Sequence, residues 1–163
     1  MTSRPPVALT IAGSDPSGGA GIQADLKSFS ALGAYGMSVI VALTAQSTQG
    51  VTGVHAVPAD FVKLQLDTVA DDARIDAVKV GMLGTAELAD AVASGLDALR
   101  ATNPDLPIVV DPVMVATSGS RLLADDAAEA VRRVLTRASL ATPNLPEAAA
   151  LLGEPEASDL AAM

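Results

Sequence analysis

Residues 7–25 read Val-Ala-Leu-Thr-Ile-Ala-Gly-Ser-Asp-Pro-Ser-Gly-Gly-Ala-Gly-Ile-Gln-Ala-Asp. The run Val7 to Ala12 is short, apolar and uninterrupted, as a buried strand is. Gly13, Pro16, Gly18, Gly19 and Gly21 then break it into a loop, and a helical pattern resumes. Strand, glycine-rich loop and helix together let an α/β protein bring backbone N–H groups close to a small ligand. Two nucleotide motifs fail here. Gly13-x4-Gly18 opens like a P-loop, but Gly19-Ala20 stands where Lys-Ser/Thr is required. Gly19-Ala20-Gly21-Ile22-Gln23-Ala24 fits a relaxed dinucleotide pattern, yet the loop before it is long. The next strand also leads to Gln46 instead of an acidic ribose ligand, which leaves a dinucleotide oxidoreductase a distant third reading.

The helix after the loop carries Ile22, Leu26, Phe29 and Leu32 at helical spacing, with Gly33 as its C-cap. That stripe predicts the buried face. Asp25 lies on or beside it, whereas Lys27 points away. A carboxylate there is either favoured by the helix dipole or aimed into a cleft as an acceptor for a ligand N–H. Both readings stand at this point.

Further along, 37–45 is a second apolar strand ending in the polar turn 46–50, and 51–57 is a short strand or flap. A helix follows from Pro58 to about Ala70, with Phe61, Leu64 and Thr68 along one side. Residues 77–80 form the next strand. Thr85 caps a helix whose Leu88, Val92, Leu96 and Leu99 make an apolar stripe. Strands at 107–110 and 139–142 flank a helix opened by Asp125, with Val131, Val134 and Leu135 inward. Ser158 is placed as the N-cap of a last helix. The Gly13–Asp25 loop, Gln46, Met82, Asp111 and Asn144 each follow a strand directly. Alternating strands and helices imply a parallel sheet with helices on both faces, which brings these segments to one edge.

Chemistry can be read at several of these strand ends. The Gln46 amide offers donors and an acceptor together, matching a ligand edge that carries both, although a turn glutamine is as often merely solvated. Met82 suits packing on a small flat ring, or simply fills core. Asp111 is placed to hold magnesium. Glu147 is otherwise a first-turn carboxylate favoured by the helix dipole. His55, the only histidine, has no identifiable partner and is read as a surface residue.

Composition narrows the function classes. The chain has 163 residues, enough for one domain (1–163) with a sizeable core, and is 50% hydrophobic with 18% charged residues. Its only aromatics are Phe29, Tyr35 and Phe61, so the core must be aliphatic. A net charge of −9 without a basic run argues against nucleic acid and anionic membranes. The absence of cysteine excludes disulfides and thiolate chemistry. No signal-peptide pattern or bilayer-length apolar run occurs, and a cytoplasmic protein is expected.

The block Ala12-Gly13-Ser14-Asp15-Pro16-Ser17-Gly18-Gly19-Ala20-Gly21-Ile22-Gln23-Ala24-Asp25 resembles the opening of the hydroxymethylpyrimidine/phosphomethylpyrimidine kinases of thiamine synthesis, members of the ribokinase-like superfamily. The likeness continues through residues 29–36, Ala45-Gln46, Lys79-Val80-Gly81-Met82-Leu83, Asp111-Pro112-Val113-Met114 and Thr142-Pro143-Asn144-Leu145-Pro146-Glu147-Ala148. The resemblance implies ATP-dependent phosphorylation of 4-amino-5-hydroxymethyl-2-methylpyrimidine and then of its monophosphate. It implies that Gly13, Asp25 and Gln46 hydrogen-bond the pyrimidine, and that Ala20, Met82 and Val113 pack on it. Asp111 and Glu147 would position magnesium, with Asn144 near the phosphates. A pyridoxal or pyridoxine kinase of the same superfamily is the nearest alternative, and a non-catalytic pyrimidine-binding fragment is another.

Members of that family usually run to roughly 250–300 residues, near the upper size of one domain. This sequence is expected to be a C-terminally truncated member, its acceptor-substrate half. It contains no Gly-Thr-Gly, the family's anion-hole loop, so no catalytic residue is identified and little transfer is expected. An open strand edge in such a half-sheet invites self-association, a homodimer included.

Overall fold

The computed structural model of the chain describes residues 4–113 and 127–157. The strands are β1 (Val7–Gly13), β2 (Tyr35–Ser47), β3 (Gly50–Ala56), β4 (Ala77–Val80), β5 (Ile108–Val110) and β6 (Leu140–Ala141). The helices are α1 (Gly21–Ala31), α2 (Ala59–Asp72), α3 (Ala86–Thr102), α4 (Ala127–Leu135) and α5 (Leu145–Leu152). The sheet order is β3-β2-β1-β4-β5-β6, parallel at every pairing except the antiparallel β2–β3 hairpin. The expected α/β architecture is therefore present, as a mixed sheet. Asp125 and residues 158–163 lie outside the described residues.

Strand periodicity assigns the two faces. Leu9 and Ile11 of β1 and Val78 and Val80 of β4 pack with Val62 and Leu66 of α2, the α3 stripe and Val134 of α4 in one core. The alternate residues, Thr10 and Lys79, turn to the other face and reach Asp25 on α1. Helices thus cover both faces, with α1 opposite α2, α3 and α4. Leu88, Val92, Leu96 and Leu99 are all buried, as the spacing predicts. Full burial of each such side chain stabilises by about 1.5–3 kcal/mol. Thr85 is the N-cap of α3, its side chain accepting from the Leu88 N–H at 3.2 Å.

Two predicted faces are corrected. On α2 the buried residues are Val62 and Leu66, while Phe61, Leu64 and Thr68 are exposed. Both stripes have helical spacing. The observed one wins because Leu66 seats over Gly95 of α3, where an added Cβ would lie 2.7 Å from Leu66 Cδ1. On α1 only Ile22 is fully buried, Leu26 and Phe29 are half-buried, and Leu32 is 85% exposed. The helix has ended by then: Leu32 is the C-cap and Gly33 follows at φ +79°.

The lower part of β2 lies beyond the reach of β3. There Gln65 of α2 takes the place of a strand, accepting from the Ile40 N–H at 3.0 Å and donating to the Ile40 carbonyl at 3.0 Å. Gln65→Leu keeps the volume and strands both backbone groups. It is expected to destabilise by about 1–3 kcal/mol, read as a lower urea midpoint at unchanged slope.

Candidate functional site

The chain enters the sheet at β1, proceeds outward to β2 and β3, then crosses to β4 on the other side of β1. Strand order reverses between β1 and β4, and in open parallel sheets ligands bind beyond the carboxyl ends of the strands at that point. A cavity of about 270 Å³ opens there, lined by residues of the β1 end (Ala12, Gly13, Ser14), of α1 and its N-cap (Ala20, Gly21, Ala24, Asp25), Lys79 and Met82 around β4, and Asp111 and Val113 after β5. The sequence-derived residues Gly13, Ala20, Asp25, Met82, Val113 and Asp111 thus share one cavity. Its volume is near the lower bound of small-molecule pockets, which start at about 300 Å³.

The glycine-rich loop is built around Asp15, which is buried at 2% exposure. Its Oδ1 accepts from the Ser17 N–H at 2.9 Å and lies 2.7 Å from the Ser17 hydroxyl. Its Oδ2 accepts from the Gly19 N–H at 3.0 Å and the Ala20 N–H at 2.8 Å. Burial alone would raise the carboxyl pKa. The hydroxyl and N–H donors of Ser17 and the N–H groups of Ala20 and Gly19 outweigh it and hold the pKa below 3.8. Gln23 Oε1 accepts from the Asp15 N–H at 2.7 Å. Lys27 does not simply point away: its ammonium returns to the Gly18 carbonyl at 2.7 Å and fastens the loop to α1. Met82 closes one side of the cavity, since a Cβ on Gly13 would lie 2.7 Å from its Cε.

Asp25 faces this cavity from α1. Its Oδ2 accepts from Thr10 Oγ1 at 2.6 Å and from Lys79 Nζ at 3.1 Å. Lys79 was not singled out as a site residue by sequence. The signal was present: a lysine in the middle of Ala-Val-Lys-Val, a strand expected to be covered on both faces, needs a buried carboxylate.

Gln46 is not at a strand terminus. Parallel pairing of β2 with β1 ends at Gly13–Ala42, but β2 runs on to Ser47 because β3 folds back and pairs with it over Ala42–Ser47. A bulge falls between Ala45 and Gln46 in this ribbon, where the Thr52 hydroxyl donates to the Ala45 carbonyl at 3.0 Å. Gln46 lines an adjoining cleft with Asp15, Gly19 and Ala20, so Ala20 borders both spaces. Its Oε1 lies 3.3 Å from Thr44 Oγ1, which donates to the Ser14 carbonyl at 2.8 Å.

Asp111 follows β5, its N–H donating to the Val80 carbonyl at 2.8 Å. Burial raises its carboxyl pKa above 3.8. Lys79 pulls it down, while Glu147 and Asp25 add repulsion. Asn144 and Glu147 follow β6, the strand next to β5, and do not line the cavity. They form a capping box on α5: Asn144 Oδ1 accepts from the Glu147 N–H at 2.9 Å, and Glu147 Oε2 accepts from the Asn144 N–H at 2.9 Å. The pattern Asn-x-x-Glu with Pro146 inside the first turn is a helix-start signal that the sequence carried. Among the described residues no group of three or more His, Cys, Asp or Glu is disposed to hold a metal ion, and no helix is long and apolar enough to cross a membrane. His55 is exposed on β3.

Comparison with known proteins agrees with this geometry. The family model described as phosphomethylpyrimidine kinase matches residues 15–163. The hydroxymethylpyrimidine/phosphomethylpyrimidine kinase of Escherichia coli K12 is 57% identical over 151 residues, covering 92% of this chain and 55% of that protein. The chain thus spans about half the length of that relative. A crystal structure of phosphomethylpyrimidine kinase from Clostridium difficile 630 superposes with a TM-score of 0.87 at 44% identity, over 97% of this chain and 67% of that one. Pyridoxal kinase from Staphylococcus aureus in complex with AMP-PCP and pyridoxal is more distant, at TM-score 0.82 and 36% identity over 99% of this chain and 56% of that one. The fold is ribokinase-like, and the chain belongs to the phosphomethylpyrimidine kinase family.

Proposed function

We propose that this chain carries the acceptor site of an ATP-dependent kinase that phosphorylates 4-amino-5-hydroxymethyl-2-methylpyrimidine and then its monophosphate. The supporting observation is the cavity at the β1/β4 switch point, where a carboxylate, a glycine-rich loop and small apolar side chains converge. In this reading Asp25 accepts from the ring amino group, and Gly13 presents backbone at the ring edge. Ala20, Met82 and Val113 pack against the ring. The Gln46 amide reaches the ring from the hairpin side.

Asp111 and Glu147 are assigned to magnesium and Asn144 to the nucleotide phosphates. The fit is physical: Asp111 is partly buried and feels the Lys79 ammonium first, with Glu147 and Asp25 repelling it more weakly, so a divalent cation there would offset the remaining negative charge. Magnesium bound there would neutralise the phosphoryl group in transfer. Glu147 Oε2 also accepts from the Asn144 N–H, so its place near a metal would be set by the start of α5.

Two measurements on the 163-residue chain test the proposal. Calorimetric titration with the aminopyrimidine should give a dissociation constant in the range of about 1 μM to 1 mM usual for enzyme substrates. No heat of binding would sink the acceptor-site reading. With magnesium-ATP, appearance of monophosphate shows turnover by this chain, whereas binding without transfer favours the pyrimidine-binding reading. The S. aureus likeness motivates running pyridoxal in parallel; preferential phosphorylation of pyridoxal would reverse the substrate assignment.

A further inference from the structure

We propose that Lys79 is a positioning residue that makes the site selective for a ring bearing an amino group, by fixing Asp25 with one oxygen held by protein and the other presented to the ligand. The inference rests on the pyrimidine-site reading above. Both protein donors, the Thr10 hydroxyl at 2.6 Å and the Lys79 ammonium at 3.1 Å, fall on the same oxygen, Asp25 Oδ2. Among the described residues the hydrogen bonds to the Asp25 side chain both fall on Oδ2, and Asp25 lines the cavity. The pair is sheltered, with side-chain exposures of 24% for Lys79 and 16% for Asp25, so the attraction is less screened than at a surface.

The ammonium has a cradle. A Cβ added at Gly81 would lie 2.9 Å from Lys79 Nζ and 3.1 Å from the Ala12 Cβ, so the bare backbone of Gly81 borders the ammonium. Held this way, Asp25 keeps its lone pairs aimed into the cavity. A ligand N–H is then met by an acceptor without reorganisation, whereas a ligand acceptor at that position faces a carboxylate it cannot bond. Without Lys79, only the Thr10 hydroxyl would orient the carboxylate, which would be free to turn away.

The test compares calorimetric affinities of the chain for 4-amino-5-hydroxymethyl-2-methylpyrimidine and for the analogue lacking the 4-amino group. Lys79→Met should weaken binding of the amino ring about tenfold, a single charge-assisted contact misplaced, and leave the analogue within about twofold. Lys79→Gln, which keeps a donor without charge, should fall between wild type and Lys79→Met. Adding Lys79→Met to Asp25→Asn should cost nothing further for the amino ring, since Asp25 is the group through which Lys79 acts. An unchanged preference for the amino ring in Lys79→Met overturns the inference, as does equal loss for both rings or failure of both variants to fold, either of which makes Lys79 structural. If wild type binds neither ring the acceptor-site reading itself has failed; if it binds both equally, only the selectivity claim has.

Discussion

Gly21→Ala is expected to destabilise the chain by about 2–5 kcal/mol and to abolish pyrimidine binding at millimolar ligand. Two independent effects add. Gly21 has φ +56°, and holding an L-residue in the left-handed region costs about 1–2 kcal/mol. Its Cβ would also lie 2.3 Å from the Gly13 carbonyl oxygen, a clash with backbone that no rotamer relieves. Overpacking of that kind typically adds about 1–3 kcal/mol. The displaced pieces are the end of β1 and the start of α1, which wall the cavity from two sides. Gly33→Ala is the control. Gly33 has φ +79° but nothing within 4 Å of an added Cβ, so it should lose only about 1–2 kcal/mol and keep binding intact. Urea midpoints and pyrimidine titrations on the two variants separate the clash from the backbone term. Equal destabilisation would refute the close-approach account.

That glycine shows where sequence sufficed. The strand–loop–helix reading of residues 7–25 placed Gly13, Ala20 and Asp25 together because local pattern and topology agree there, and the parallel pairings bring the other strand ends to the same edge. Reading failed where two local solutions were equally good. On α2 the stripes through Phe61 and Val62 are both helical, and only Gly95, a residue of another helix, decides between them. Gln46 looked terminal because its neighbours are turn formers, yet the pairing with β3 that extends β2 is a non-local contact. Lys79 reads from sequence only as part of a strand, with nothing local to pair its charge. Its partner Asp25 is 54 residues away, and only the sheet order brings them together.

Asp15→Asn should cost about 2–4 kcal/mol near neutral pH, with most of the loss gone in acid. The carboxylate accepts from two donors on each oxygen, the Ser17 N–H and hydroxyl on one and the Gly19 and Ala20 N–H groups on the other. An amide turned either way sets its NH₂ against backbone donors, and hydrogen bonds to a charged acceptor are worth about 1.5–3 kcal/mol each. The pH dependence follows from the depressed pKa. Because the folded carboxyl titrates below the ordinary 3.8, the unfolded chain binds more protons in between, and stability rises with pH across that interval. The Asp15 contribution is therefore complete above the unfolded value and disappears as pH falls through the folded one. Asp76 and Asp97 are depressed as well, Asp76 mainly by the Val7 N–H and Asp97 mainly by Arg137, and Asp111 is raised by burial, so the wild-type curve mixes at least these four carboxylates. The difference between wild type and Asp15→Asn, taken from urea unfolding at a series of pH values, isolates one. It should be flat from neutrality down to about pH 5 and shrink below about pH 4. A difference that stays constant into acid would mean that Asp15 acts through shape alone, and that its charge does not hold the loop.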